Sequence, residues 1–116
     1  MLRTLELLQN SKAVKRFEIL DFKSGGKFYY LKIRADIKNN TKLFISEYMS
    51  ASEEKYSYHW QENNGKLITR WDNAPHQQVK TFPHHKHYPD GTVVESYEIR
   101  LEKVLKSIEK KLGVKQ

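Results

Sequence analysis

Three short turn strings punctuate residues 24–66 and limit the folds open to the chain: SGGK at Ser24–Lys27, KNNT at Lys38–Thr41 and NNGK at Asn63–Lys66. Gly and Asn tolerate positive φ, so each string suits a tight hairpin. A looser SASEE at Ser50–Glu54 supplies a fourth turn. The β-branched and aromatic runs between these turns predict five strands, at about 14–23, 28–37, 42–49, 55–62 and 67–72. Consecutive, hairpin-linked strands form an antiparallel meander most economically.

The chain ends have a different period. Leu2, Leu5 and Leu8 recur at helical spacing, and Leu101, Leu105, Ile108 and Leu112 form one apolar stripe with Gly113 as a stop. The second helix is expected to start between residues 93 and 100. Thr92 and Glu95 mimic a capping box, although TVVESYEI also alternates like a short strand. The expected class is α+β: a five-stranded antiparallel meander with the N- and C-terminal helices packed on one face. At 116 residues, one domain over 1–116 is expected.

The turn at Asn64–Gly65 pairs His59 with Arg70, Tyr58 with Trp71 and Ser57 with Asp72. One face then carries Tyr56, Tyr58, Trp60, Leu67 and Trp71, and the other carries His59, Gln61, Ile68, Arg70 and Asp72. Leu20, Phe22, Leu31, Ile33 and Ala35 join the apolar side, opposite Lys32 and Arg34. For the third strand, gathering apolar residues on one face puts Phe44 and Tyr48 in the core and Glu47 outside. The open face is then basic, and cross-strand charge pairs alone could account for it.

Four of the five histidines crowd into WDNAPHQQVKTFPHHKH, Trp71–His87. Pro75 and Pro83 argue against ladder pairing, so residues 73–91 are expected to be a constrained loop closed by the PDG turn. Such a loop in a small domain is more often functional than not. A metal site, a metal-free acid/base site and a plain His-rich loop all compete. HHKH lacks the spacing of a helical zinc site, and adjacent His84 and His85 point apart in extended chain, which disfavours metal. Imidazoles can serve as base and acid together near neutral pH. The catalytic candidates are Arg70, Asp72, His76, His84, His85 and His87, with Arg70 or Lys86 facing transition-state charge. Asp72 would orient an imidazole. Tyr30 and Tyr88 are the freer candidates for stacking on unpaired bases.

The net charge of +7 favours an acidic partner, nucleic acid first, with Lys32, Arg34, His59 and Lys86 as RNA contacts. No apolar run is long enough to span a membrane, and MLRTLELLQNS does not have the pattern of a secretory signal. The absence of cysteine excludes disulfides and thiolate metal sites and suits a reducing cytoplasm.

The strings YSYHWQ, LITRWDNAPH and TFPHHKH, followed by the terminal helix, resemble the TumE-type toxins of bacterial and archaeal toxin–antitoxin pairs over residues 14–112. The motif positions are Asp72, Asn73, Pro75, His76, Pro83, His84, His85, Lys86 and His87, with Gln77 standing where the pattern has a second His. The resemblance implies a small basic toxin neutralised by a cognate antitoxin, usually encoded beside it and carrying a DNA-binding domain. It does not supply the activity. Residue chemistry favours a metal-independent endoribonuclease with no cofactor, acting on RNA and leaving a homodimer open. Its rivals are a non-catalytic RNA- or DNA-binding module and a metal-dependent hydrolase.

Overall fold

The computed structural model describes residues 2–73, 85–87, 89, 93–95 and 101–113, with the backbone alone for 85–87 and 93–95. Helix α1 (Leu2–Asn10) leads into five long strands: β1 (Val14–Ser24), β2 (Phe28–Ile37), β3 (Thr41–Ser50), β4 (Glu54–Glu62) and β5 (Leu67–Asp72). Two short strands, β6 (His85–His87) and β7 (Val93–Glu95), precede helix α2 (Leu101–Leu112). The strands lie in one antiparallel sheet in chain order, β1 to β7. The fold is α+β, with the expected five-strand meander as its body.

The hairpins follow from local chemistry. Asn40 adopts φ 64° and donates its N–H to the Ile37 carbonyl at 3.1 Å. Gly65, at φ 94°, does the same to Glu62 at 2.9 Å. The β4–β5 turn is one residue longer than the two-residue loop expected, because Glu62 and Lys66 close it. A bulge between Trp60 and Gln61 then restores the expected pairs His59–Arg70, Tyr58–Trp71 and Ser57–Asp72. Ile68, expected on the open face, packs against the core beside that bulge. Gly113 ends α2 at φ 71°, as a C′ glycine does.

Leu31, Ile33, Ala35, Leu43 and Ile45 are fully buried on one face of the sheet, with Tyr58, Trp60 and Trp71. The helices cover them with Leu8, Leu101, Val104, Leu105 and Ile108. Strand β3 departs from expectation: Glu47 is buried, and Phe44 and Tyr48 lie on the other face, half-buried. The cause is the ladder: Ile45 sits opposite both Ile33 and Tyr58, so the alternate positions must face away. Glu47 tolerates the interior because Thr4 Oγ1 and Tyr58 Oη donate to its two carboxylate oxygens at 2.7 and 2.8 Å. Strand β1 also differs, with Leu20 and Phe22 each 42% exposed. A register shift between Ile19 and Asp21 carries Leu20 out of the ladder, and β1 is an edge strand.

The expected loop over 73–91 contains β6. A proline blocks pairing at its own position, and His85 is already beyond Pro83. Glu95 pairs with His85 in the sheet, so Thr92–Glu95 is no capping box and α2 does not start at 93–95. The interval 96–100 lies outside the described residues.

Burial, then Glu47, raise the Tyr58 pKa far above its ordinary 10.0. The native state therefore holds this proton more tightly than the unfolded chain. That stabilisation is complete below pH 10.0 and is lost as the pH climbs above it. Urea midpoints should fall across the alkaline range, and Tyr58→Phe should flatten that fall. It should also lower neutral stability by about 1–3 kcal/mol, since Glu47 loses a donor.

Candidate functional site

The open face of the sheet is organised in rows that cross the strands. One row runs Arg34, Phe44, His59, Arg70 through β2 to β5, and backbone pairing continues it to His87 on β6. The next row runs Lys32, Ser46, Ser57, Asp72 and continues to His85. Strand pairing thus brings two of the candidate histidines into register with Arg70 and Asp72. Lys86 takes the alternate position, opposite Trp71. His76 and His84 lie outside the described residues, as does Tyr88.

Arg70 is the hub. Its Nε donates to Asp72 Oδ2 at 2.9 Å, and its Nη1 approaches His59 Nδ1 at 3.2 Å. A guanidinium only donates, so His59 Nδ1 must accept, and the ring proton sits on Nε2. The Asp72 side chain is 4% exposed and that of Arg70 is 36% exposed. The carboxylate is thus buried behind a cation that stays accessible, which rigidifies the guanidinium while leaving its outer edge for a ligand. Asn73 holds the end of β5 in place. Its Oδ1 accepts from the Tyr56 N–H at 2.9 Å, and its Nδ2 donates to the Glu54 carbonyl at 2.7 Å. The side chain continues the β4–β5 ladder for one more step just where Asp72 is positioned. Beside it, burial and then Glu54 and Asp72 raise the Tyr56 pKa well above the tyrosine range, so this phenol stays neutral.

Two shallow depressions of about 440 and 380 Å³ share Tyr30, Ser46, Ser57 and Arg70, forming one groove across this face. Lys32 and Phe44 line one part of it, and Tyr48 and Asp72 the other. Lys32 is exposed, with no acid within ion-pair distance among the described residues. Arg34 differs: Glu18 and Asp36 flank it at 3.0 and 3.4 Å, so of the two β2 cations Lys32 is the better placed for an anion. Among the described residues, no cluster of three His, Asp or Glu side chains could hold a metal ion. Phe44 and Tyr48 were missed as surface aromatics because both alternations of β3 carry apolar residues, Leu43, Ile45 and Met49 on one and Phe44 and Tyr48 on the other.

The family model for Toxin TumE matches residues 4–112. The chain belongs to the TumE toxin family. No curated protein and no solved structure matches it. No described helix is long and apolar enough to cross a membrane.

The Arg70–His59 contact makes a spectroscopic prediction. Nitrogen-detected NMR should find neutral His59 as the Nε2–H tautomer, with Nδ1 in the hydrogen-bonded acceptor range. Arg70→Ala should abolish that signature. Arg70→Lys should not restore it, because one ammonium cannot reproduce the planar fork that reaches Asp72 and His59 together.

Proposed function

We propose that this TumE-family toxin is a metal-independent endoribonuclease whose reaction centre lies at the β5–β6 end of the open face. The observation that carries it is the buried Asp72 carboxylate bonded to an accessible Arg70, with His85 and His87 register-paired to them. Cleavage of RNA by its own 2′-hydroxyl needs three things: a base for that proton, an acid for the departing 5′-oxygen, and a cation for the phosphorane. Arg70 supplies the cation, and Asp72 fixes its orientation. His59 is unsuited to act as the base through Nδ1, because Arg70 already occupies that nitrogen. It serves better as an Nε2–H donor to phosphate. Base and acid fall to the His-rich segment, with His85 and His87 favoured by register and His76 and His84 as the further candidates from the motif. The attacking 2′-oxygen forms a bond to phosphorus, the P–O5′ bond breaks, and a 2′,3′-cyclic phosphate and a 5′-hydroxyl result. Lys32 supplies a phosphate contact, and a cognate antitoxin neutralises the toxin in the cell.

The test is a cleavage assay in EDTA with purified, untagged protein. Asp72→Asn, Arg70→Ala, His85→Ala and His87→Ala should each lower turnover by about 10² to 10⁴ and relieve growth inhibition. Lys103→Ala, on the exposed side of α2, should do neither. A bell-shaped pH–rate profile should accompany activity, since one imidazole must be neutral and another protonated. Activity lost in EDTA and restored by zinc or manganese would make the histidines metal ligands. RNA binding without cleavage, unchanged by Asp72→Asn, would favour the binding module. Affinity should fall about tenfold or more between 50 and 200 mM salt if several phosphates are contacted.

A further inference from the structure

An aromatic residue in the middle of the solvent-facing side of a sheet needs a reason. Phe44 lies on β3, between β2 and β4, and the core behind it is closed by Leu43 and Ile45, both 0% exposed. It contributes nothing to that core. Its row neighbours are Arg34 and His59, and it lines the groove with Lys32 and Arg70. Tyr30 and Tyr48, opposite each other on β2 and β3, line the adjoining part. All three rings are half-buried, and Tyr48 already stacks on Phe28, which leaves Phe44 as the platform beside Lys32 and Arg70. Residues opposite each other on adjacent strands sit about 4.8 Å apart, so from β2 to β5 the Arg70 and Lys32 positions are roughly 14 Å apart across the sheet. One phosphate cannot bridge both.

We propose that the groove binds single-stranded RNA crossing the strands, with one base stacked on Phe44 and phosphates held at Lys32 and Arg70. The inference rests on the ribonuclease reading and adds the substrate class and its path. A duplex cannot use this surface, because its bases already stack on one another and A-form grooves do not present their faces to a sheet. Stacking on an aromatic platform tolerates any base, whereas cations alone would hold single and double strands alike. The path also leads a strand from Lys32 over Phe44 to Arg70, where the phosphorane charge would appear. An extended strand can there adopt the in-line geometry that an A-form duplex denies its 2′-hydroxyl.

The experiment compares fluorescence anisotropy of a labelled 2′-O-methyl RNA 12-mer, which has no attacking hydroxyl, alone and annealed to its complement. Wild type, Phe44→Leu and Phe44→Ala are titrated at low salt. Phe44→Leu keeps apolar bulk and removes the π-face, and its melting temperature reports the fold. The expected result is about tenfold tighter binding of the single strand by wild type. Phe44→Leu should lose about that factor for the single strand and leave duplex binding unchanged. Equal single-strand affinity for wild type and Phe44→Leu, both folded, would overturn the platform while leaving the ribonuclease reading intact. So would a wild-type preference for duplex. No binding of either probe by wild type would remove the ribonuclease reading and this inference with it.

Discussion

The pairing of β2 with β3 governs what each face of this protein can do. Ile33 opposite Ile45 and Ala35 opposite Leu43 put four fully buried side chains beneath the two helices. Strand side chains alternate with a period of two, so this choice forces Phe44, Ser46 and Tyr48 onto the opposite face. A slip by one residue would bury Phe44 and Tyr48 and expose Leu43 and Ile45. The cost of the observed register is a carboxylate in the core. Glu47 meets that cost with hydrogen bonds from Thr4 on α1 and Tyr58 on β4, so the buried charge also ties the first helix to the sheet.

The same ladder logic builds the site at the far end of the meander. Asp72 is buried, and burying a carboxylate is tolerable only with a bonded partner. Arg70, two residues earlier on the same strand and hence on the same face, is that partner. Removing one member of a buried pair costs about 3–5 kcal/mol, and the partial exposure of Arg70 puts this pair toward the lower end. The arrangement trades stability for a fixed guanidinium. Asn73 and the pairing of β6 hold the strand end where a free terminus would fray, which keeps Asp72 in register with both Ser57 and His85.

Charge gives the open face its sign, but geometry sorts the charges. Arg16 and Arg34 are compensated by Asp36 and Glu18, which makes the β1–β2 end a set of ion pairs, within and across the strands, of small energetic weight. Toward β5 the acids withdraw behind Arg70, and aromatic and hydroxyl groups fill the space between the cations. On the open face this leaves Lys32 without an acid among the described residues and Arg70 held by Asp72.

Turn residues and periodicity are local properties, and they set the strand count of the meander, its hairpin positions, both helices and the pairing of His59 with Arg70. The sequence also singled out Arg70 and Asp72 by their place at the mouth of the His-rich segment. The alternation of β3 was not legible: Leu43, Ile45 and Met49 on one side compete with Phe44 and Tyr48 on the other, and the helices packed over the sheet decide between them. The prolines hid β6 for a similar reason, since they forbid pairing at their own positions and say nothing about the residues beyond. Which side chains meet across the sheet depended on long-range pairing and on what the helices cover. Those contacts join residues far apart in the chain, so local signals carry no information about them.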